Sequence, residues 1–161
     1  MFRLVVDILV LRVGPGVFRG GSNAGWPGMI YMSLAAPIIL AENLVHEASH
    51  QYVHLMTRIE VLDDGSDHTL YFSPVTGRER PLAAILVAYH AFANVLLFLN
   101  DCIRTGFDGD GYAKARVKEV IPKVEVLESA LKDNPALTTV GRALVTFLQG
   151  RLDQSKCNNA D

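Results

Sequence analysis

Strong charge, cysteine pairs and long disordered tracts are all missing from this chain. The formal net charge over 161 residues is -2, so no overall field draws the protein to nucleic acid or to an anionic membrane surface. The only two cysteines, Cys102 and Cys157, are far apart and form no CxxC pair. That excludes a disulfide framework and a thiolate zinc site, and it fits a reducing cytoplasm. There is no internal repeat and no low-complexity tract. The N-terminal MFRLVVDILVLRVGPG is apolar but alternating and β-branched, and it lacks a clear cleavage site, so it reads as a strand and not a signal peptide. One run, Pro81 to Leu99, approaches the length of a membrane span, yet His90 and Asn94 lie within it and would be costly facing lipid. A buried core helix is the simpler reading, with no membrane partner.

What the chain does have is apolar mass. Half of its residues are hydrophobic, enough for a real core in one domain, taken as residues 1–154 with a frayed tail over 155–161. Residues 2–12 read as a strand, 14–28 as a long Gly-rich loop, and Met29 to Leu34 as a second short strand. Pro37 can open a helix that runs to about Met56. Thr69 to Phe72 gives a third strand, and Ser73 to Arg80 a basic loop. Pro81 opens the second, very apolar helix. Asp108 to Gly111 is a turn; its DGDG lacks the rest of a calcium loop. Two polar C-terminal helices follow, with breaks at Pro122 and Pro135. The fold class is α+β: a few N-terminal strands, then four helices.

The first helix carries His46-Glu47-Ala48-Ser49-His50. Residues four apart sit one turn apart on the same helix face, so His46 and His50 can aim both imidazoles at one metal ion. Glu47 is turned about 100° around the axis, but its long carboxylate can lean over the metal's open side and act as a general base. The bland alternative is two histidines that bind nothing. An open catalytic site needs a third protein ligand. His54 is two turns beyond His46 and too far along the axis to join easily, and His68 sits in a turn-rich surface segment. His90, in the middle of the most apolar helix, must find a partner inside the domain, and a metal would supply one. Arg78 and Arg80 flank Glu79 just before that helix. Arg80, fixed by Pro81, is the better candidate to clamp a carboxylate bidentately.

From Gly20 to about Asn100 the blocks GGSNAGWPGMIYMS, LAENLVHEASHQ, YFSPVTGRERPL and AYHAFANVLLF follow in order. In these blocks the sequence resembles the HExxH-type peptide-modifying proteins associated with ribosomally made peptide natural products. Those proteins are similar to iron(II)- and 2-oxoglutarate-dependent β-hydroxylases of peptide residues. The resemblance implies His46, His50 and His90 as iron ligands, Arg80 as partner of a 2-oxoglutarate carboxylate, and a peptide as substrate. The family pattern has a histidine about one turn earlier in the second helix, where this chain reads Ile85-Leu86-Val87. The chain is also short, so either it lacks a peptide-recognition region or it completes one by association, as in a homo-oligomer.

Two other functions remain at this point. A zinc metallopeptidase would use Glu47 as base, but the extended HExxHxxGxxH pattern fails at Val53 and Met56, and no acid lies between Pro81 and Leu99. A non-catalytic scaffold would carry the motif as a vestige. Imidazole suits zinc, iron, copper and nickel alike, so the metal is not fixed by the ligands.

Overall fold

The computed structural model describes residues 8–12, 20–108 and 110–157. The architecture is α+β. A three-stranded sheet is built from β1 (Ile8–Arg12), β2 (Gly20–Ser22) and β3 (Met29–Ser33) in the order β1-β3-β2. The β1–β3 pair is parallel and the β2–β3 pair antiparallel. Then come α1 (Pro37–Met56), the antiparallel hairpin β4 (Leu70–Ser73) and β5 (Arg78–Pro81), and the helices α2 (Leu82–Arg104), α3 (Tyr112–Leu131) and α4 (Thr139–Cys157).

The expected HExxH helix has the bounds its periodicity suggests, with Pro37 in its first turn. A single stripe explains how it sits. Leu40, Leu44, Ala48 and Leu55, spaced at helical intervals, pack on Ile30 and Met32 of β3. Ala48 is two residues from both His46 and His50, about 200° around the axis. Burying Ala48 against the sheet therefore turns both imidazoles the other way, toward α2.

Helix α2 is the centre of the core. Leu82, Ile85, Leu86, Tyr89, Val95 and Leu99 are sealed among α1, α3 and α4. It is long and apolar enough to cross a bilayer, but 61% of its apolar window is buried inside the fold. Its apolar surface is consumed by packing, as a core-helix reading expects.

Four details differ from the sequence expectations. Gly20–Ser22 is a strand within the segment read as loop, because backbone pairing to β3 needs no side-chain pattern. Arg78–Pro81 is a strand and not a basic loop; Arg80 lies opposite Tyr71, and Pro81 caps α2 without entering it. α3 runs unbroken through Pro122. That proline is exposed, so water can satisfy the carbonyl whose helical partner it removes. α4 continues to Cys157, past the boundary at 155, and Ser155 accepts a hydrogen bond from Asn100 Nδ2 at 2.9 Å. Residues 2–7 of the first expected strand and 158–161 of the tail lie outside the described residues.

Candidate metal centre

His46 and His50 meet as their spacing requires. Their Nε2 atoms are 3.0 Å apart and the rings stand edge to face, 4.6 Å between centroids. That separation is a hydrogen bond between the two rings, and it also brings both nitrogens close enough to share one ion once the bridging proton is lost. His46 is also held edge to face by Phe92 of α2, at 5.0 Å.

Burial keeps these imidazoles neutral, which is the form that binds metal. The pKa of His46 is pushed down to about 4, first by burial and then by the Arg116 guanidinium. His50 is pushed to about 4 by burial, with His46 and His54 adding to it. His90 also falls to about 4, through burial and then His50, against a backbone contact with Ser49 that acts the other way. His50 Nδ1 and His90 Nδ1 are both buried without a hydrogen-bond partner.

The third ligand expected at His90 is not assembled. His90 is near enough to feel the charge of His50, but its ring stacks on Tyr52 at 5.9 Å. Asn94 Nδ2 is 3.4 Å from its Nε2 and donates to its carbonyl at 2.8 Å. Among the described residues, no group of three His, Cys, Asp or Glu side chains converges on one point. The His90 ring packs on Tyr52, whereas His46 packs on Phe92. His54 is half-buried near the end of α1, and His68 is exposed.

Glu47 is buried and lines the same cavity as His46. Ser22 Oγ donates to Glu47 Oε2 at 2.8 Å. Burial raises the Glu47 pKa, and the Ser22 hydrogen bond opposes the rise.

This cavity, of about 320 Å³, is walled by Ile39, Glu42, Asn43, His46, Glu47, Phe92, Tyr112 and Arg116. Neither expected arginine lines it. Arg78 and Arg80 are exposed on β5, where pairing with β4 holds that backbone away from the HExxH face. The cation of the cavity is Arg116 of α3, which the sequence reading did not single out. Its Nε donates to Glu42 Oε1 at 2.8 Å and its Nη1 to Glu119 Oε2 at 2.6 Å. Among the described residues its Nη2 makes no hydrogen bond. Burial alone would lower the Arg116 pKa, but the hydrogen bonds to Glu42 and Glu119 raise it, so the guanidinium stays charged. Tyr112 donates to the other Glu42 oxygen at 2.6 Å, and both burial and that bond raise its own pKa. Lys123 stands over the Phe92 ring at 5.7 Å. One signal pointed here: Glu42 is an acid inside an apolar helix stretch, and a buried carboxylate demands a cation. A larger cavity of about 460 Å³, between Leu97 and Ser155, contains no histidine and no link to this chemistry.

The lowered histidine pKa values set a pH dependence. Unfolded histidines titrate near 6.5 and these fold with values of about 4. Between those limits the unfolded state binds more protons. Stability is therefore complete above about pH 6.5 and declines as the pH falls, by up to about 1.4 kcal/mol per pH unit for each histidine. Chelator-treated protein should show urea midpoints that drop steadily from about pH 7 to about pH 5. Flat midpoints across that interval would mean that the imidazoles are not excluded from water.

No protein-family model and no curated protein matches the chain.

Proposed function

We propose that the chain is an HExxH metalloenzyme: an iron(II)- and 2-oxoglutarate-dependent dioxygenase that hydroxylates a residue of a peptide in natural-product biosynthesis, in the cytoplasm. The observation that carries the reading is the 3.0 Å approach of His46 and His50 Nε2, beside a cavity that also contains the Arg116 guanidinium. The two histidines would hold the metal, and Arg116 would take over the carboxylate-binding role that the resemblance gives to Arg80. Iron with 2-oxoglutarate and oxygen supplies the oxidising chemistry. The protein contributes orientation, a cation for the cosubstrate and a partly desolvated wall of Phe92 and Ile39. A peptide extends beyond so small a cavity, and a homo-oligomer is one way to add the surface it needs.

Glu47 favours a second reading, a zinc metallopeptidase, because a carboxylate beside His46 is placed to take a proton from water. The two readings part at Glu47→Gln, which keeps size and removes basicity. A peptidase should lose roughly 10²–10⁴-fold in rate while still binding metal. An oxygenase needs no carboxylate base to form its oxidant, and we expect substantial 2-oxoglutarate turnover to remain. Peptide cleavage by the wild type that is lost in Glu47→Gln, and indifferent to 2-oxoglutarate, would establish the peptidase instead.

A further inference from the structure

Gly20, Gly21 and Ser22 form β2, which pairs with β3 and packs against α1. β2 is the strand that passes directly over the acidic side of the motif helix, and two features of it are unusual. First, it comes very close. A Cβ on Gly20 would stand 3.1 Å from Asn43 Oδ1 and 3.8 Å from Glu47 Oε1, and one on Gly21 would overlap the Tyr31 ring. A side chain at Gly20 would push the strand away from α1 or fill the space beside the Glu47 carboxylate, whereas one at Gly21 would displace the Tyr31 ring on β3. Second, the next residue turns that approach into a contact. Ser22 Oγ is 2.8 Å from Glu47 Oε2 and 3.5 Å from the Glu47 carbonyl, so its single proton goes to the carboxylate.

We propose that Ser22 is the positioning residue of Glu47: it pins Oε2 against β2 and so fixes the orientation of the carboxylate in the wall of the cavity that His46 also lines. The inference rests on reading the motif as a metal site. Glu47 is buried and has no ion pair among the described residues, so Ser22 is the one side chain that fixes its carboxylate. Without that bond, a side chain with three rotatable bonds could swing onto the metal and occupy a position meant for an exogenous ligand, or swing back toward Asn43. Gly20 and Ser22 thus act together, the glycine permitting the approach and the hydroxyl using it.

Ser22→Ala and Ser22→Thr test this in two measurements. In metal-free crystals, Glu47 should occupy one conformer in the wild type and in Ser22→Thr, and a different or split one in Ser22→Ala. In Co(II) titrations, Ser22→Ala should bind within about threefold of the wild type, well short of the roughly 10–100-fold lost with a partner of a true metal ligand. Its visible cobalt spectrum should nevertheless move toward that of Glu47→Gln and return in Ser22→Thr. If Ser22→Ala does not fold, Ser22→Cys, similar in size with only a weak S–H donor, is compared in its place. An unchanged Glu47 conformer in the variant, or a cobalt spectrum like the wild type's while that of Glu47→Gln differs, overturns the proposal. Failure of the wild type to bind Co(II) defeats the metal reading instead, and the crystals still decide the role of Ser22.

Discussion

Replacing His50 with alanine should abolish stoichiometric binding of Fe(II) or Co(II). The two Nε2 atoms present adjacent positions to one ion, and a lone His46 retains only one of them. Loss of a hydrogen-bond partner to a ligand already costs roughly 10–100-fold in affinity, and loss of the ligand itself should exceed that. His90→Ala is the informative comparison. The sequence makes His90 a ligand, whereas the fold stacks it on Tyr52. We therefore expect His90→Ala to retain metal, with a decrease on the order of tenfold or less, in the range of an indirect partner. Elemental analysis after anaerobic purification, with isothermal titration of both variants, distinguishes the cases. Equal loss in His90→Ala and His50→Ala would return His90 to the ligand set. Full metal occupancy in His50→Ala would end the metal-site reading.

Replacing Arg116 should have the next largest effect, and on two quantities at once. The first is cosubstrate binding. A hydrogen bond to a charged group contributes about 1.5–3 kcal/mol, so Arg116→Ala should weaken 2-oxoglutarate binding roughly 10–150-fold. Arg80→Ala, on the exposed β5, should leave it unchanged. The second is stability. Arg116 and Glu42 form a salt bridge whose side chains are 26% and 7% exposed. Removing one member of a buried pair costs about 3–5 kcal/mol, and the lower end applies here because Arg116 is partly solvated and Tyr112 still donates to Glu42. Adding Glu42→Gln removes the stranded charge and should restore most of the stability without restoring 2-oxoglutarate binding. Urea unfolding of the single and double variants, with anaerobic titration of 2-oxoglutarate, measures both. If the double variant regains cosubstrate affinity, Arg116 only supports the fold and the carboxylate is held elsewhere.

The sequence by itself determined whatever depends on spacing along one helix. The i, i+4 rule places His46 and His50 together in any intact helix, and Pro37 with the apolar repeat indicates where that helix begins; the face it buries, which includes Glu42, Glu47, Ser49 and Gln51, did not follow from that repeat. The burial of α2 follows in the same way from a long apolar run that nevertheless contains His90 and Asn94. The α+β order of elements was legible for the same reason, since periodicity is a local property. Gly20–Ser22 and Arg78–Pro81 were not legible as strands, because each is short and is held by backbone pairing to a partner the chain reaches later or earlier. Which cation enters the cavity was decided only by tertiary packing. Arg80 is closer in sequence to the second helix, but hairpin pairing leaves it in solvent, while Arg116, 70 positions after His46, is brought in by α3 to neutralise Glu42. The place of His90 was decided in the same way. Its burial could be read from the sequence, but its direction depends on the rotation of α2 against α1, which is set by packing along the whole seam.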